Sequence, residues 1–209
     1  MEILFEDQSI TVAKKPADLI SEQTERGDGF ADLLAARNPN RYIGVVHRLD
    51  RGVGGVMVYA RNRDSAARLS AAVQAHRFEK EYLAWIHGIP EQPSGRLCDL
   101  LFHDRTCNKT FVVERKRNGV KEAILDYELI RTESGDSDTP RSLVRIRLIT
   151  GRTHQIRAQF SHLGHPLLGD GKYGARGDRC PIALFCCRLS FPHPVTGKAL
   201  TFQCEWERA

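Results

Sequence analysis

One short loop in this chain concentrates residues that can do chemistry. Asp50 lies between Arg48 and Arg51, and three glycines follow it within five residues. The two guanidinium groups favour the ionised form of the carboxylate. An ionised carboxylate suits a nucleophile or an electrostatic stabiliser better than a general acid. The loop alone leaves an alternative equally open, in which an ion-pair cluster only fixes a turn between two strands.

Apolar residues on both sides of the loop predict two buried strands that position it. Ile43, Val45 and Val46 precede the loop, and the apolar run 56–58 follows it. Short apolar runs bounded by turn residues are typical of buried strands. The glycines allow another backbone or a ligand to approach closely. Asp50 is therefore expected at the end of core strands.

The remaining pattern predicts one α+β domain, residues 1–209, in which strands outnumber helices. Three short helices are expected, with N-caps at Asp28, Asp64 and Thr153. The expected strands are a hairpin over 3–14, a strand over 80–88, a hairpin that joins 111–113 to 120–130 through Asn118-Gly119, and strands over 143–149, 182–189 and 199–206.

Basic residues cluster beside the predicted Asn118-Gly119 turn. Arg115, Lys116 and Arg117 immediately precede it. Lysine and arginine protect exposed strand edges, and they also bind phosphate backbones, so the cluster is equally consistent with both roles. The formal net charge of +5 fits a polyanionic partner such as nucleic acid.

Cysteine and histidine spacing disfavours a metal site. The six cysteines form no C-x-x-C pair, and a helix would place His154 and His162 about two turns apart. The sequence shows neither a signal peptide nor an apolar run of membrane-spanning length. A cytoplasmic protein without a bound metal is therefore expected.

Several segments, taken in order, resemble the RluA-type pseudouridine synthases. They are Lys15-Pro16, His47-Arg48-Leu49-Asp50, Lys80-Glu81-Tyr82-Leu83-Ala84, and the runs 151–157, 164–170 and 189–194. The resemblance covers nearly the whole chain and implies a mixed, largely antiparallel sheet with a central cleft, flanked by helices and loops. It implies isomerisation of uridine to pseudouridine in structured ribosomal or transfer RNA without a cofactor. The catalytic domain alone is expected, without an N-terminal S4 domain, and as a monomer.

The resemblance also implies roles for individual residues. Asp50 matches the essential aspartate, and Tyr82 matches the tyrosine that packs against the target base. Arg152 matches the basic residue that pairs with the aspartate. Arg48 matches an arginine that lies near the RNA in the family. Resemblance and charge pattern together give the residues expected to contact RNA, which are His47, Arg48, Arg51, Arg115, Lys116 and Arg117.

The chain departs from the family pattern at two places. Val53-Gly54-Gly55 stands where the family usually has Thr-Ser-Gly, so two hydroxyl groups are missing. This change favours an alternative, a catalytically impaired relative that only binds RNA. Asp18 stands where glycine is common, which we interpret as a surface change. A nucleoside glycosidase is less favoured, because that chemistry normally uses two carboxylates and here arginines surround Asp50.

Overall fold

The computed structural model describes residues 1–37, 42–134 and 139–207. The described residues form three helices, α1 Phe30–Arg37, α2 Arg63–Gln74 and α3 Gln155–His162. They also form eleven strands: β1 Glu2–Glu6, β2 Ile10–Lys15, β3 Gly44–Val45, β4 Gly54–Ala60, β5 Glu79–His87, β6 Ser94–Asp104, β7 Lys109–Val113, β8 Val120–Ser134, β9 Pro140–Leu148, β10 Leu184–Pro192 and β11 Ala199–Gln203. The predicted α+β class is confirmed.

The chain divides into two compact units. Unit 1 comprises Met1–Lys80 and the segment that begins at Phe185, and unit 2 comprises Glu81–Leu184. The strands of unit 1 follow the order β1-β2-β4-β10, with β3 beside β4 and β11 beside β10. Those of unit 2 follow the order β5-β9-β8-β6-β7. Most pairs are antiparallel, whereas β4 and β10 run parallel.

The core of unit 1 surrounds β4, in which every residue is buried. Val56 and Val58 pack with Ile10 of β2, Leu69 of α2 and Phe191 of β10. An uninterrupted apolar strand of this kind is typical of a position covered on both faces. The loop that contains Asp50 leads directly into β4. The core therefore fixes the C-terminal end of this loop.

Two predicted helix caps are wrong. The N-cap of α2 is Asn62, whose Oδ1 accepts a hydrogen bond from the Ser65 N–H at 2.8 Å. Asp64 lies in the first turn instead. Asp28 accepts from the Thr24 hydroxyl, while the Gly29 N–H before α1 donates to Asp32. In both cases another short polar side chain nearby makes the capping bond.

A hydrogen-bonded pair joins the first and last hairpins of unit 1. Asp7 Oδ1 accepts from the N–H groups of Ser9 and Ile10, and Asp7 Oδ2 lies 2.8 Å from His193 Nε2. His193 Nδ1 accepts from the Val195 and Thr196 N–H groups, so Nε2 carries the proton and donates to Asp7. The carboxylate therefore links the β1–β2 turn to the β10–β11 turn.

The Asp7 link is expected to make folding stability depend on pH. Burial raises the pKa of Asp7, but hydrogen bonds from Ile10, Ser9 and His193 outweigh it and hold the pKa below the usual 3.8. Because the folded pKa is the lower one, the link stabilises the fold above the unfolded pKa and is lost as pH falls through the folded pKa. Asp7→Asn should lower the free energy of unfolding by about 1 kcal/mol at pH 7.

Urea unfolding of wild type and Asp7→Asn at pH 7 and pH 3 tests this dependence. The difference between them should shrink at pH 3. Asp64→Asn, on the exposed surface of α2, serves as the control and should show little difference at either pH. A difference for Asp7→Asn that is the same at both pH values would contradict the expectation.

The predicted hairpin through Asn118-Gly119 is wrong. Strand β7 pairs with β6, where Leu100 is opposite Val113, and β8 pairs with the other side of β6. The turn at Arg117–Val120, closed by a 3.0 Å bond from the Val120 N–H to the Arg117 oxygen, thus carries the chain across β6. Strand β6 itself was not predicted, because polar residues occur on both of its faces and weaken the alternating pattern.

Candidate active site

Buried hydrogen bonds from Ser21 and Tyr59 hold the Asp50 loop in place. Ser21 Oγ donates to the Leu49 oxygen at 2.8 Å and accepts from the Leu49 N–H at 3.1 Å. The Tyr59 hydroxyl on β4 donates to the Ser21 oxygen at 3.0 Å. The Asp50 oxygen accepts from the Val53 N–H at 3.0 Å and closes a tight turn. The main chain on both sides of Asp50 is thus fixed, while its side chain is partly exposed.

A buried lysine lies beside this loop. Lys15, the last residue of β2, is fully buried, and its Nζ donates to the oxygens of Pro16, Leu19 and Arg51 at 2.9, 2.7 and 3.4 Å. Burial lowers the pKa of Lys15 to about 8, and the negative charges of Asp18 and Asp50 oppose this lowering. Lys15 therefore places a positive charge within electrostatic reach of Asp50, in the same unit.

Sequence analysis gave Lys15 no chemical role. The available signal was its place in the Lys15-Pro16 run, which matches the family. A lysine at the end of a strand is normally interpreted as a solvated residue. Here main-chain oxygens from two loops satisfy the ammonium group, which is what makes its burial tolerable.

Each of the arginines next to Asp50 has a partner in unit 1. Arg48 Nη1 donates to Glu22 Oε1 at 2.7 Å, and Arg51 Nε donates to the Asp18 main-chain oxygen at 3.1 Å. Both arginines are exposed. Exposure of both side chains is compatible with the predicted phosphate contacts, which stay a prediction.

His47 is a different case, and the predicted RNA contact does not fit its position. The residue is only 6% exposed, and its Nε2 accepts a hydrogen bond from the Val58 N–H at 3.2 Å. Burial, assisted by the Lys80 charge, lowers the pKa of His47 well below its usual value. The neutral ring thus supports the start of the loop from inside the core.

Asp18 adopts a left-handed backbone conformation, with φ of 69°. Glycine adopts such angles without steric cost, so the main chain at position 18 is suited to the glycine that the resemblance led us to expect there. Asp18→Gly is expected to be more stable than Asp18→Ala by about 1 kcal/mol. Both variants remove the same carboxylate, so chemical denaturation isolates the backbone effect. Equal stabilities would contradict the expectation.

The substituted positions after Asp50 are buried. Val53 is 2% exposed, so an apolar side chain suits this position. A Cβ at Gly54 would lie 3.2 Å from the Lys15 oxygen, which is tight but leaves room for a small shift. The replacement of two hydroxyl residues is therefore compatible with the packing of β4.

The other predicted catalytic residues belong to unit 2. Tyr82 on β5 is 5% exposed. Arg152, partly exposed, donates from Nε to the Glu122 oxygen at 2.9 Å, and its N–H donates to Gln155 Oε1 at 3.0 Å. The pairing of Arg152 with Asp50 stays a prediction.

The start of α3 corrects another predicted cap. His154, with φ of 52°, is the N-cap and makes no side-chain capping bond. Thr153 is therefore not the cap. The Gln155 side chain accepts from both the Thr150 hydroxyl and the Arg152 N–H, so it orders the main chain at Arg152 instead.

The basic cluster before Gly119 is exposed. Arg115, Lys116 and Arg117 lie in the connection between β7 and β8, and the Arg117 guanidinium carbon is 4.9 Å from the centre of the Phe102 ring. This stacking restrains Arg117 beside the sheet. Exposure is compatible with both a solubilising role and an RNA-binding role.

Within residues 1–37, 42–134 and 139–207, no group of three or more histidine, cysteine, aspartate or glutamate side chains is arranged to hold a metal ion. Across the same ranges, no helix is long and apolar enough to cross a bilayer.

The chain is similar to known proteins over most of its length. The sequence model of the RNA pseudouridylate synthase family matches residues 9–162. Ribosomal large subunit pseudouridine synthase D of Vibrio cholerae is 32% identical over 97% of this chain and 66% of the relative's own length. The tRNA pseudouridine synthase C of Yersinia pestis is 28% identical over 99% of this chain and 87% of its own.

A solved structure supports the fold assignment. Human RNA pseudouridylate synthase domain containing 1 superimposes with a TM-score of 0.81, covering 98% of this chain and 82% of the human chain. The sequences are 23% identical, so the likeness concerns the fold alone.

Proposed function

Because this chain belongs to the RNA pseudouridylate synthase family, we propose that it isomerises uridine to pseudouridine in RNA with Asp50 as its catalytic carboxylate. The observation that carries the assignment of Asp50 is the anchored turn beside buried Lys15. There Ser21 fixes the residue before the carboxylate, and β4 fixes the residues after it. Fixed geometry of this kind lowers the cost of aligning a reacting group.

The reaction needs no co-reactant. The bond between uracil N1 and ribose C1′ breaks, a bond between C5 and C1′ forms, the C5 proton leaves and N1 gains a proton. Asp50 supplies the ionised carboxylate, acting either as a nucleophile or as the base that starts an elimination. Lys15 interacts electrostatically with Asp50 and is the buried cation beside this carboxylate within unit 1.

The target nucleotide must leave its stack before Asp50 can reach it. Extrusion of a base costs a few kcal/mol, and stacking on an aromatic ring returns about 1–3 kcal/mol. We assign Tyr82 to that stacking. Tyr82 is 5% exposed in the free protein, so RNA binding must uncover its ring. We assign Arg152 as a second cation for Asp50. A carboxylate that bound RNA shields from water needs a nearby positive charge, because an unpaired buried charge is costly.

We propose structured ribosomal or transfer RNA as the substrate, on the basis of the names of the Vibrio cholerae and Yersinia pestis relatives. Exposed Arg48, Arg51 and the cluster Arg115, Lys116 and Arg117 supply cations for the phosphate backbone. All six cysteines lie in the described part of the chain and are free thiols, which supports our proposal of a cytoplasmic enzyme. We propose further that residues 1–209 form one catalytic domain and that the enzyme acts as a monomer.

Pseudouridine mapping of cellular RNA tests this function. Total RNA from a strain that lacks the gene should have lost at least one pseudouridine that is present in the parent. A plasmid-borne copy of the wild-type gene should restore it. Identical maps in all three strains would contradict the proposed function.

A further inference from the structure

The segment 16–22 contacts both arginines that flank Asp50. Glu22 binds Arg48 through its carboxylate at 2.7 Å, and Asp18 binds Arg51 through its main-chain oxygen at 3.1 Å. The two contacts differ in charge, because only Glu22 brings a negative group to the guanidinium. Arg48 is therefore already paired with an anion in the free protein.

The position of Glu22 is built into the fold. Ser21, the preceding residue, is fully buried and makes two hydrogen bonds to Leu49, the residue after Arg48. A Cβ at Gly29 would lie 1.9 Å from the Glu22 oxygen, so the main chain of Glu22 packs directly on position 29. The Cα atoms that carry Glu22 and Arg48 are thus held close whatever their side chains do.

The ion pair itself is weak enough to exchange. The side chains of Arg48 and Glu22 are 67% and 37% exposed, and ion pairs exposed to that extent contribute little free energy. A phosphate forms charge-assisted hydrogen bonds to arginine and prefers a bidentate arrangement. While Glu22 is paired, its charge cancels much of the attraction that Arg48 offers to such a phosphate.

We propose that Glu22 competes with RNA phosphate for Arg48 and thereby lowers the affinity of the enzyme for RNA. Any RNA whose phosphate binds Arg48 must first displace the Glu22 carboxylate, so the penalty applies to target and non-target RNA alike. The proposal rests on the proposed function, since it requires that Arg48 contacts RNA.

A charge-matched pair of variants isolates the contact. Glu22→Gln removes the competing charge, and Glu25→Gln removes the same charge from an exposed position on the same stretch of chain. The probe is a fluorescein-labelled RNA stem-loop with uridines in its loop, titrated by fluorescence anisotropy at several NaCl concentrations. Because the contact is with a phosphate, the probe need not be the natural target.

Glu22→Gln should lower the Kd about two- to fivefold, whereas Glu25→Gln should leave it nearly unchanged. The slope of log Kd against log salt should become steeper by up to about 0.9 for Glu22→Gln, as for one additional neutralised phosphate. In an Arg48→Gln background, Glu22→Gln should have no effect. With an RNA substrate that the enzyme converts, Glu22→Gln should lower KM and retain kcat. A merely structural role of Glu22 would not produce this result.

Equal effects of Glu22→Gln and Glu25→Gln would overturn the proposal. Weaker binding by Glu22→Gln, or the same gain in the Arg48→Gln background, would also overturn it. Failure of the proposed function is distinguishable from failure of the Glu22 proposal, because the wild-type protein would then form no pseudouridine. Absence of RNA binding by the wild-type protein would overturn both.

Discussion

Asp50→Asn is expected to reduce pseudouridine formation by at least about 10³-fold, as is typical when a group that acts on the reacting atoms is lost. Asparagine has nearly the same shape but can act neither as an anionic nucleophile nor as a base. The turn should persist, because the Val53 N–H bonds to the main-chain oxygen of Asp50 and Ser21 holds Leu49. Nucleoside analysis of digested RNA measures the product.

Asp18→Asn is the matched control for this experiment. Both carboxylates act electrostatically on Lys15, and asparagine tolerates the left-handed conformation at position 18. The control should retain most of the activity, and both variants should unfold at nearly the wild-type denaturant concentration. Turnover by Asp50→Asn at the wild-type rate would refute the assignment of Asp50.

The largest effect on stability is expected for Gly55→Ala, at least about 4 kcal/mol or loss of soluble protein. Gly55 has φ of 131°, where side chains are strongly disfavoured. A Cβ there would lie 2.3 Å from the Cys186 oxygen and 2.6 Å from its nitrogen. Both atoms are main chain in the paired strand β10, so a rotamer change cannot relieve the overlap. Urea unfolding, or soluble yield if unfolding cannot be measured, reports the loss.

Gly54→Ser is the informative comparison, because it adds a hydroxyl residue one position earlier. The nearest atoms to its Cβ would be the Lys15 oxygen at 3.2 Å and the Ala17 nitrogen at 3.3 Å. A shift of a few tenths of an ångström is enough, so the cost should be about 1–3 kcal/mol, less than for Gly55→Ala. Gly55→Ala within 1 kcal/mol of the wild type would contradict the account of this strand pair.

Features with strong local signals could be predicted from the sequence. The β1–β2 hairpin follows from two apolar runs around Asp7, and the strand after Asp50 follows from its apolar residues and glycines. The flanking arginines drew attention to Asp50 but left a purely structural ion-pair cluster equally open, and its catalytic role was predicted from the family resemblance. These signals reside within about ten residues, so tertiary structure does not need to be known.

Features decided by distant partners could not be predicted. The Asn118-Gly119 turn is locally suited to a hairpin, but β6 takes the place between β7 and β8. Lys15 can be buried because its ammonium group donates to main-chain oxygens that include that of Arg51, which is far away in the sequence. His47 can be buried because its ring accepts a hydrogen bond from the Val58 N–H. An alternating sequence pattern indicates which face of a strand is apolar. It does not indicate which buried polar side chains will find hydrogen-bond partners.

The central claim is that this protein moves uracil from N1 to C5 attachment within an RNA chain. The most direct measurement uses RNA transcribed with tritium at C5 of uridine. Purified protein should release tritium to water in proportion to the pseudouridine formed, with the base retained in the RNA. RNA binding without tritium release, or release of free uracil, would contradict the claim.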